Sequence, residues 1–284
     1  MSPPRVIVNA DDFGLCSGVN QGIVQAYCYG ILTSASLMTN TPGFEEAVAL
    51  AQENPGLGIG VHLNIVRGVP LLPPEKVSTI VRRDGYFFGK VFPLFSGIWR
   101  KKVNLEEIER EWRAQIEKAL ETGVQVTHLD SEKHVHTFPP LFRLCLKLAA
   151  EHGIFRVRFI RERCLSWPLA QMVKAAVVTR WCLSQKSNLE GMGIKVTDHF
   201  LGFCRAGKVT AGWLKRVLEH LPEGTTEIMT HPGYLTSDLL GLEKKFGSYY
   251  INRRREAELK ALLAPELKAL VQKLDVQLIS YRLL

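Results

Sequence analysis

Runs of residues typical of β-strands alternate with runs typical of α-helices along almost the whole chain. The first, Val6-Ile7-Val8, is too short for a helix and has the β-branched composition of a strand buried on both faces. The segment that follows, 17–29, predicts a helix ending at Gly30. Further strands are predicted at 35–38, 57–61, 124–129, 155–159, 195–203 and 226–229, and 276–280 fits an eighth, closing strand. This alternation predicts a parallel sheet with crossover helices, in one α/β domain spanning residues 1–284.

Length and charge narrow the class of protein. At 284 residues the chain is long for an ordinary domain and normal for a (β/α) barrel. The hydrophobic and charged fractions, 46% and 23%, are those of globular proteins. A net charge of +8 suggests an anionic partner, such as a phosphate-bearing substrate or a membrane surface, although ordinary surface lysines and arginines are the simpler interpretation. The basic residues are scattered and match no known binding motif, so we expect no nucleic-acid partner.

The cysteines and the apolar runs predict a cytoplasmic protein. Six cysteines lie far apart without a C-x-x-C pair, which predicts reduced thiols, most of them in the core. The first strand begins by Arg5 and leaves no room for a signal peptide. No window reaches about 18 uninterrupted apolar residues, so no membrane-spanning helix is expected.

The alternation lapses between residues 67 and 103. This stretch holds four prolines and the aromatic cluster Tyr86, Phe87, Phe88, Phe92, Phe95 and Trp99. So long a connection within one domain usually forms a lid or a binding loop. The equally supported alternative is a small satellite core under a loop. We therefore treat 67–103 as a loop insertion whose role is open.

Two adjacent carboxylates, Asp11 and Asp12, follow the first strand directly. Placing them at the end of a buried strand is costly unless a cation or hydrogen-bond donors await them. An aspartate there can also cap the next helix, but Ser17 is available for that task. The pair therefore indicates a functional site, since ligands bind at this edge of α/β sheets.

Other ionisable residues also follow predicted strands. His62 follows the third strand, the segment 130–136 the fourth, and His231 the seventh. In the segment 130–136, ionisable residues occupy every second position, namely Asp130, Glu132, His134 and His136. If this segment is extended, these four side chains point to the same side of the chain.

Carboxylates and imidazoles with room for water are typical of an open, catalytic metal site. A bound cation polarises a carbonyl and activates water, so the set predicts metal-assisted hydrolysis. Asp11, beside the presumed ligand Asp12, is the candidate base, and His231 could protonate the leaving group or stabilise an oxyanion. The spacing does not choose between amide, ester and phosphoester bonds.

Five segments together resemble the YdjC-like carbohydrate deacetylases. They are VNADDFGL at 8–15, GILTSASLM at 30–38, GVHLN at 60–64, THLDSxxHVH at 127–136 and MTHPGY at 229–234. The resemblance implies a TIM-like (β/α) barrel, seven- or eight-stranded and distorted, that removes acetate from an N-acetylated sugar. It also implies a divalent metal, Mg²⁺ first and Zn²⁺ or Mn²⁺ as alternatives, and a homodimer. The metal-binding triad of the family corresponds to Asp12, His62 and residue 132 of this chain. In the same way, Asp11 corresponds to the base and His231 to the second catalytic residue.

The chain departs from that family at one ligand. The family usually has histidine where this sequence has Glu132. Glutamate can bind the same cations, so one interpretation is an Asp-His-Glu site with a preference for harder metals. In a second, His134 or His136 replaces the missing ligand. In a third, metal affinity is lost and the protein is a binding-only relative for a sugar or glycolipid.

Residues near the strand ends are candidate substrate contacts, namely Asn40, Asn64, Asp130 and Arg158, although a salt bridge to a loop carboxylate is the more common role for an arginine such as Arg158. The helical insertion at 166–189 and the aromatic loop resemble the hopanoid-associated branch of the family. That branch implies a sugar carried on a lipid, with peripheral contact between the basic surface and anionic headgroups. The basic run 253–255 is expected to be a solvated helix start, and Trp167, Met172 and Trp181 are expected in the core.

Overall fold

A parallel sheet of seven strands forms the centre of the fold in the computed structural model, which describes residues 3–162, 169–242 and 254–284. The strands are β1 (Arg5–Phe13), β2 (Ser34–Leu37), β3 (Gly58–Leu63), β4 (Val126–Ser131), β5 (His199–Leu201), β6 (Thr225–Thr230) and β7 (Gln277–Leu278). Their order is β4-β3-β2-β1-β6-β5, and β7 pairs with β1. Every strand pair is parallel, as the alternation predicts.

Eleven α-helices lie within the described ranges, most of them in the crossovers between strands. They are α1 (Ser17–Tyr29), α2 (Phe44–Glu53), α3 (Val91–Trp99), α4 (Leu105–Glu121), α5 (Pro139–Glu151), α6 (Leu169–Leu183), α7 (Lys186–Gly191), α8 (Ala211–Glu219), α9 (Ser237–Gly241), α10 (Arg254–Leu262) and α11 (Pro265–Lys273). None of the described helices is both long and apolar enough to cross a membrane.

The sheet curls into a half-barrel, and a closed TIM barrel is not confirmed. The segment predicted as a fifth strand, 155–159, joins its neighbours only through the isolated bridges Leu129–Val157 and Arg156–Lys195. The predicted closing strand shortens to β7, which pairs with Arg5 and Val6 at the beginning of β1. It cannot close a barrel between β6 and β1, because those two strands already pair directly from Arg5 to Ala10.

Helix α4 shows how the sequence specifies an element locally. The Asn104 side chain accepts a hydrogen bond from the Glu106 backbone N–H and so caps the helix. Ile108, Trp112 and Ile116 recur every four residues and are fully buried. The helix therefore covers the face of the sheet near β3.

Two hydrophobic clusters cover the sheet. One surrounds β1 and involves α1, α2, α8, α10 and α11, and the other surrounds β3 and β4 and involves α4 and α5. The insertion 67–103 contributes Val77, Ile80 and Phe87 to the second cluster, as a satellite core. Its helix α3 also lines the cavity described below, and the role of the insertion as a lid or binding loop stays a prediction.

The thiols only partly match the expected reduced state. Cys16, Cys28, Cys145 and Cys182 are free, and all but Cys28 are buried. Cys204 is disulfide-bonded, so the expectation of six reduced cysteines is wrong there.

Gly60 in β3 tests how tightly the interior is packed. A Cβ at Gly60 would lie 2.4 Å from the His128 ring, which is buried and stacked on Tyr281 at 3.7 Å between ring centroids. Because that ring has no room to retreat, Gly60→Ala is expected to lower the free energy of unfolding by about 1–3 kcal/mol in urea titrations.

The matched control is Gly212→Ala in α8, where no described atom lies within 4 Å of the added Cβ. Helix propensity there favours alanine by up to about 1 kcal/mol, so no loss of stability is expected. Equal losses in the two variants would contradict the packing argument.

Candidate active site

A cavity of about 730 Å³ opens at the carboxyl edge of the sheet. The predicted residues Asp11, Asp12, His62, Glu132 and His231 all line it, together with Lys133 and His134. Residues from β1, β3, β4 and β6 meet here because parallel strands end at a common edge. The pairing of His62 with Asp130 in adjacent strands fixes part of that meeting.

The two aspartates share the cavity because β1 is irregular. In a regular strand, successive side chains point to opposite faces. Here the register shifts between Ala10 and Phe13, and Asp12 has a left-handed φ of 71°. Aspartate tolerates this conformation better than most residues. The irregularity turns Asp12 so that it lines the same cavity as Asp11.

Asp12, His62 and Glu132 form a buried cluster. The His62 Nε2 atom lies 3.9 Å from Oδ1 of Asp12 and 3.7 Å from Oε2 of Glu132. One ligand atom from each residue falls within 4.8 Å of the others. Ligands about 2.1 Å from a shared ion stand roughly 3–4 Å apart, so the three side chains fit one divalent cation.

The surroundings of the Glu132 carboxylate also suit the binding of a cation. Its Oε1 is buried and has no hydrogen-bond donor among the described residues; the cations of Arg67 and Lys133 stand 3.7 and 4.0 Å away. Burial raises the pKa of Glu132, but Lys133 and His62 outweigh burial and hold that pKa below its ordinary value. The carboxylate is therefore charged and has lone pairs available to an ion.

The segment after β4 is not extended, so the prediction that Asp130, Glu132, His134 and His136 point to one side is wrong. Residues Glu132–Thr137 form a 3₁₀ turn in which Lys133 and His134 have φ of 53° and 54°. Ser131 Oγ holds the turn by accepting the backbone N–H of His136 at 2.9 Å. Glu132 therefore faces His62, whereas His134 and His136 do not join the cluster of Asp12, His62 and Glu132.

The reserve ligands His134 and His136 lie outside the cluster. His136 is fully buried, with Nδ1 2.6 Å from Ser131 Oγ and Nε2 3.1 Å from the Arg158 carbonyl oxygen, so both nitrogens are occupied. The His134 ring lies 5.4 Å from the Phe203 ring and lines the cavity. Burial lowers the pKa of both rings, that of His136 to about 4.

Asp130 orients His62. Its Oδ1 lies 2.8 Å from the His62 Nδ1, which leaves Nε2 directed at the two carboxylates. Burial disfavours the charged ring, but Asp130 and Glu132 outweigh burial and raise the pKa of His62 well above its ordinary value. A cation can replace that proton at Nε2. Asp130 is fully buried behind the ring, so the structure gives it no place on the cavity wall.

Arg158 lies behind the site and pairs with three carboxylates. Its Nη1 and Nη2 donate to both oxygens of Asp11 at 2.9 and 2.7 Å, and Nη1 also reaches Oδ2 of Asp130 at 2.6 Å. Its Nε donates to Oε1 of Glu227 at 2.8 Å. Arg158 is fully buried, so the predicted substrate contact becomes a contact with other protein side chains.

This arrangement sets the charge states of the carboxylates. Burial raises the pKa of Asp11, but the Arg158 guanidinium outweighs burial and holds it below its ordinary value. For Glu227 the outcome is the opposite: burial outweighs the Arg158 guanidinium and raises the pKa of the carboxyl to about 7. The Tyr281 hydroxyl donates to Oε2 of Glu227 and joins the C-terminal turn to the network.

Arg255, which our sequence interpretation missed, holds Asp12. Its Nη2 donates to Oδ2 of Asp12, and the side chain is only 4% exposed. The expectation that the run 253–255 is solvated is therefore wrong at Arg255, while Arg253 lies outside the described residues. Arg254 and Arg255 are adjacent and chemically alike, and Arg254 is exposed, so the sequence alone gave no signal that Arg255 is the buried one.

His231 follows β6 and is anchored by a second missed residue, Glu258. The His231 backbone N–H donates to Oε2 of Glu258 at 2.6 Å, and that oxygen lies 4.0 Å from the ring Nδ1. Glu258 is fully buried and also accepts the Val209 backbone N–H. Burial raises the pKa of Glu258.

Asn40 and Asn64 lie outside the large cavity. Asn64 Oδ1 accepts the backbone N–H groups of Val66 and Arg67, while its Nδ2 donates to Asn40. Asn40 in turn donates to the Val69 carbonyl and lines a separate cavity of about 280 Å³. The pair holds the turn at 66–69, and substrate contact by either residue stays a prediction.

Aliphatic and aromatic side chains form much of the remaining wall of the large cavity, alongside the polar residues Thr137, Gln171, Lys174 and Lys208. Val91 and Phe95 come from α3, and Val177, Val178 and Trp181 from α6. The Trp181 ring packs edge-on against Phe95, with 5.7 Å between centroids. Trp181, expected in the core, thus borders the cavity, while Trp167 lies outside the described residues.

Comparisons with known proteins agree over nearly the whole chain. A family model described as YdjC-like protein matches residues 5–273. Carbohydrate deacetylases from Brevibacillus brevis and Thermoanaerobacter pseudethanolicus are 35% and 33% identical to this chain, and each match covers 98% of both proteins. A crystal structure from Enterococcus faecalis, provisionally described as a cellobiose-phosphate cleavage protein, superposes with a TM-score of 0.79 at 28% identity, covering 99% of this chain and 98% of that one.

Glu227→Gln tests the charge balance around Arg158. The variant keeps the shape of the side chain but removes its titration. Because folding raises the pKa of Glu227 from about 4.5 to about 7, the protonated carboxyl stabilises the native state fully below pH 4.5, and this contribution is lost as the pH rises to 7.

The free energy of unfolding of Glu227→Gln minus that of the wild type is therefore expected to rise by about 2–3 kcal/mol across this window and then level off. Urea titrations at closely spaced pH values measure the difference. A difference independent of pH would contradict the assigned charge state.

Proposed function

The chain belongs to the YdjC-like family, and from that premise we propose that it is a metal-dependent hydrolase that removes the N-acetyl group from an N-acetylated amino sugar. The observation that carries the proposal is the meeting of Asp12, His62 and Glu132 beside Asp11 and His231 in one cavity. Relatives named carbohydrate deacetylase, matched over 98% of their length, support the acetylated-sugar substrate.

We assign the metal ligands to Asp12, His62 and Glu132. A divalent cation bound there supplies Lewis acidity, polarising the acetyl carbonyl and lowering the pKa of water. Two carboxylates and one imidazole suit Mg²⁺ or Mn²⁺, with Zn²⁺ as the softer alternative. The second acid–histidine cluster, Asp11, His62 and Asp130, is less suited, because Arg158 already pairs with both of its carboxylates.

Asp11 is the proposed general base. Arg158 keeps its carboxylate ionised and fixes its direction, while the side chain still borders the cavity. Asp11 accepts a proton as water oxygen bonds to the acetyl carbon. His231, anchored through Glu258, gives a proton to the sugar nitrogen as the C–N bond breaks. The products are acetate and the free amine.

The cavity wall favours a lipid-linked sugar over a free oligosaccharide. Valines such as Val91, Val177 and Val178 cannot hydrogen-bond sugar hydroxyls, and burying those hydroxyls unpaired is costly. An apolar group attached to the sugar removes that cost and gains from burial against α3 and α6.

A product assay tests the proposal. Acetate release is measured from N-acetylglucosamine oligomers and from an N-acetylglucosaminyl lipid, with Mg²⁺, Mn²⁺, Zn²⁺ or a chelator. We expect release that needs a divalent ion and is faster with the lipid. An inert wild type that gains turnover through Glu132→His would instead establish a binding-only relative.

Asp11→Asn separates the base from the metal ligands. Loss of the base is expected to lower kcat about 100- to 10,000-fold, while affinity for the ion changes little because Asp11 is outside the proposed ligand set. Acetate release and calorimetric Mn²⁺ titration measure the two quantities. Asp84→Asn, at an exposed aspartate, is the control and should retain full activity. Near-normal turnover in Asp11→Asn would exclude Asp11 as the base.

Arg255→Met tests whether Arg255 positions Asp12. Side chains that orient metal ligands typically contribute about 10- to 100-fold in affinity, so Mn²⁺ should bind that much more weakly to the variant. Arg255→Lys should recover part of the loss. The control is Arg254→Met, at the adjacent exposed arginine of α10. Equal affinities in all three variants would show that Arg255 does not position the ligand.

A further inference from the structure

Helix α3 carries the two most exposed large hydrophobic side chains among the described residues. Phe92 and Trp99 are 81% and 80% exposed. They are seven residues apart, or about two helical turns, and therefore point to the same side. Buried Leu94 and Gly97 hold the opposite side of the helix against the core. The protein thus presents two large aromatic side chains to solvent on an anchored helix.

Positive charge surrounds these two aromatic residues. Lys90 precedes the helix, and Arg100, Lys101 and Lys102 follow it; all four are exposed. No acidic residue occurs between Asp84 and Glu106. We call Phe92, Trp99 and these four cations the α3 surface. An exposed aromatic pair flanked only by cations is typical of helices that lie in a membrane interface.

The α3 surface adjoins the mouth of the large cavity. Val91 and Phe95 of the same helix line that cavity. Across it, Val173 and Val177 of α6 line the cavity and are 53% and 40% exposed. Apolar side chains therefore continue from α3 across the rim to α6.

We propose that the α3 surface docks onto an anionic lipid bilayer, with Phe92 and Trp99 entering the interface and the four cations facing the headgroups. Aromatic side chains gain free energy at this depth, and each cation near an anionic surface adds attraction. A symmetric contact between two copies is disfavoured, because it would bring two sets of four like charges together. Docking brings the cavity mouth to the membrane. Neither the two exposed aromatic residues nor the four cations take part in the proposed deacetylase reaction.

Vesicle flotation of the full chain tests the proposal. The probes are vesicles of phosphatidylcholine alone and of phosphatidylcholine mixed with phosphatidylserine. The wild type should float with the mixed vesicles and bind the neutral ones about tenfold or more weakly. Phe92→Ser/Trp99→Ser should remove binding, and Lys101→Glu/Lys102→Glu should weaken it at least about tenfold.

The controls change matching residues elsewhere on the surface. Tyr29→Ser alters another exposed aromatic, at 69%, and Lys268→Glu/Lys273→Glu reverses two exposed lysines of α11. Both should bind like the wild type, and circular dichroism checks that every variant is folded. Absence of flotation, or equal losses in test and control variants, overturns the proposal. A dimer in light scattering that Phe92→Ser/Trp99→Ser abolishes, without vesicle binding by the wild type, would assign the surface to a second copy instead.

Discussion

The buried guanidinium of Arg158 is the interaction on which the site depends. Asp11, Asp130 and Glu227 come from three different strands, and the carboxylates of Asp11 and Asp130 could not remain charged in this interior without a cation. Removing one partner of such a buried set typically costs about 3–5 kcal/mol, because the remaining charges lose their compensation. Arg158 therefore joins β1, β4 and β6 electrostatically as well as fixing the side chains that border the cavity.

A chain of contacts leads from Arg158 to the side chains that line the cavity. Asp130 pairs with Arg158 and also contacts Nδ1 of His62, so that Nε2 of His62 points at Asp12 and Glu132. The adjacent aspartates have separate arginines: Arg158 holds Asp11, and Arg255 holds Asp12. In the proposed function these two neighbouring carboxylates have different roles, since Asp11 accepts a proton and Asp12 binds an ion. Only the left-handed turn at Asp12 makes that division compatible with a shared cavity.

Much of the fold follows from local sequence signals. The predicted bounds of α1, 17–29, coincide with the observed ones, because the apolar spacing and the terminating Gly30 act within a few residues. Closure of the sheet could not be predicted, since it depends on whether 155–159 pairs along its length with distant segments. The strand ends predicted that Asp12, His62 and the segment 130–136 lie at one edge of the sheet, whereas position 132 was assigned as the third ligand from the family resemblance. The turn at Lys133 and His134 could not be predicted, because neither residue favours a left-handed conformation as glycine does. Arg255, 243 positions from Asp12, gave no local sign of its partner.

Diffraction at the manganese absorption edge from a crystal soaked in Mn²⁺ shows most directly whether Asp12, His62 and Glu132 share one ion. One strong anomalous peak is expected, bounded by Oδ1 of Asp12, Nε2 of His62 and a carboxylate oxygen of Glu132, with Arg158 still paired to Asp11 and Asp130. No peak at that position in a well-occupied crystal, or a peak held by His134 in place of Glu132, would contradict it.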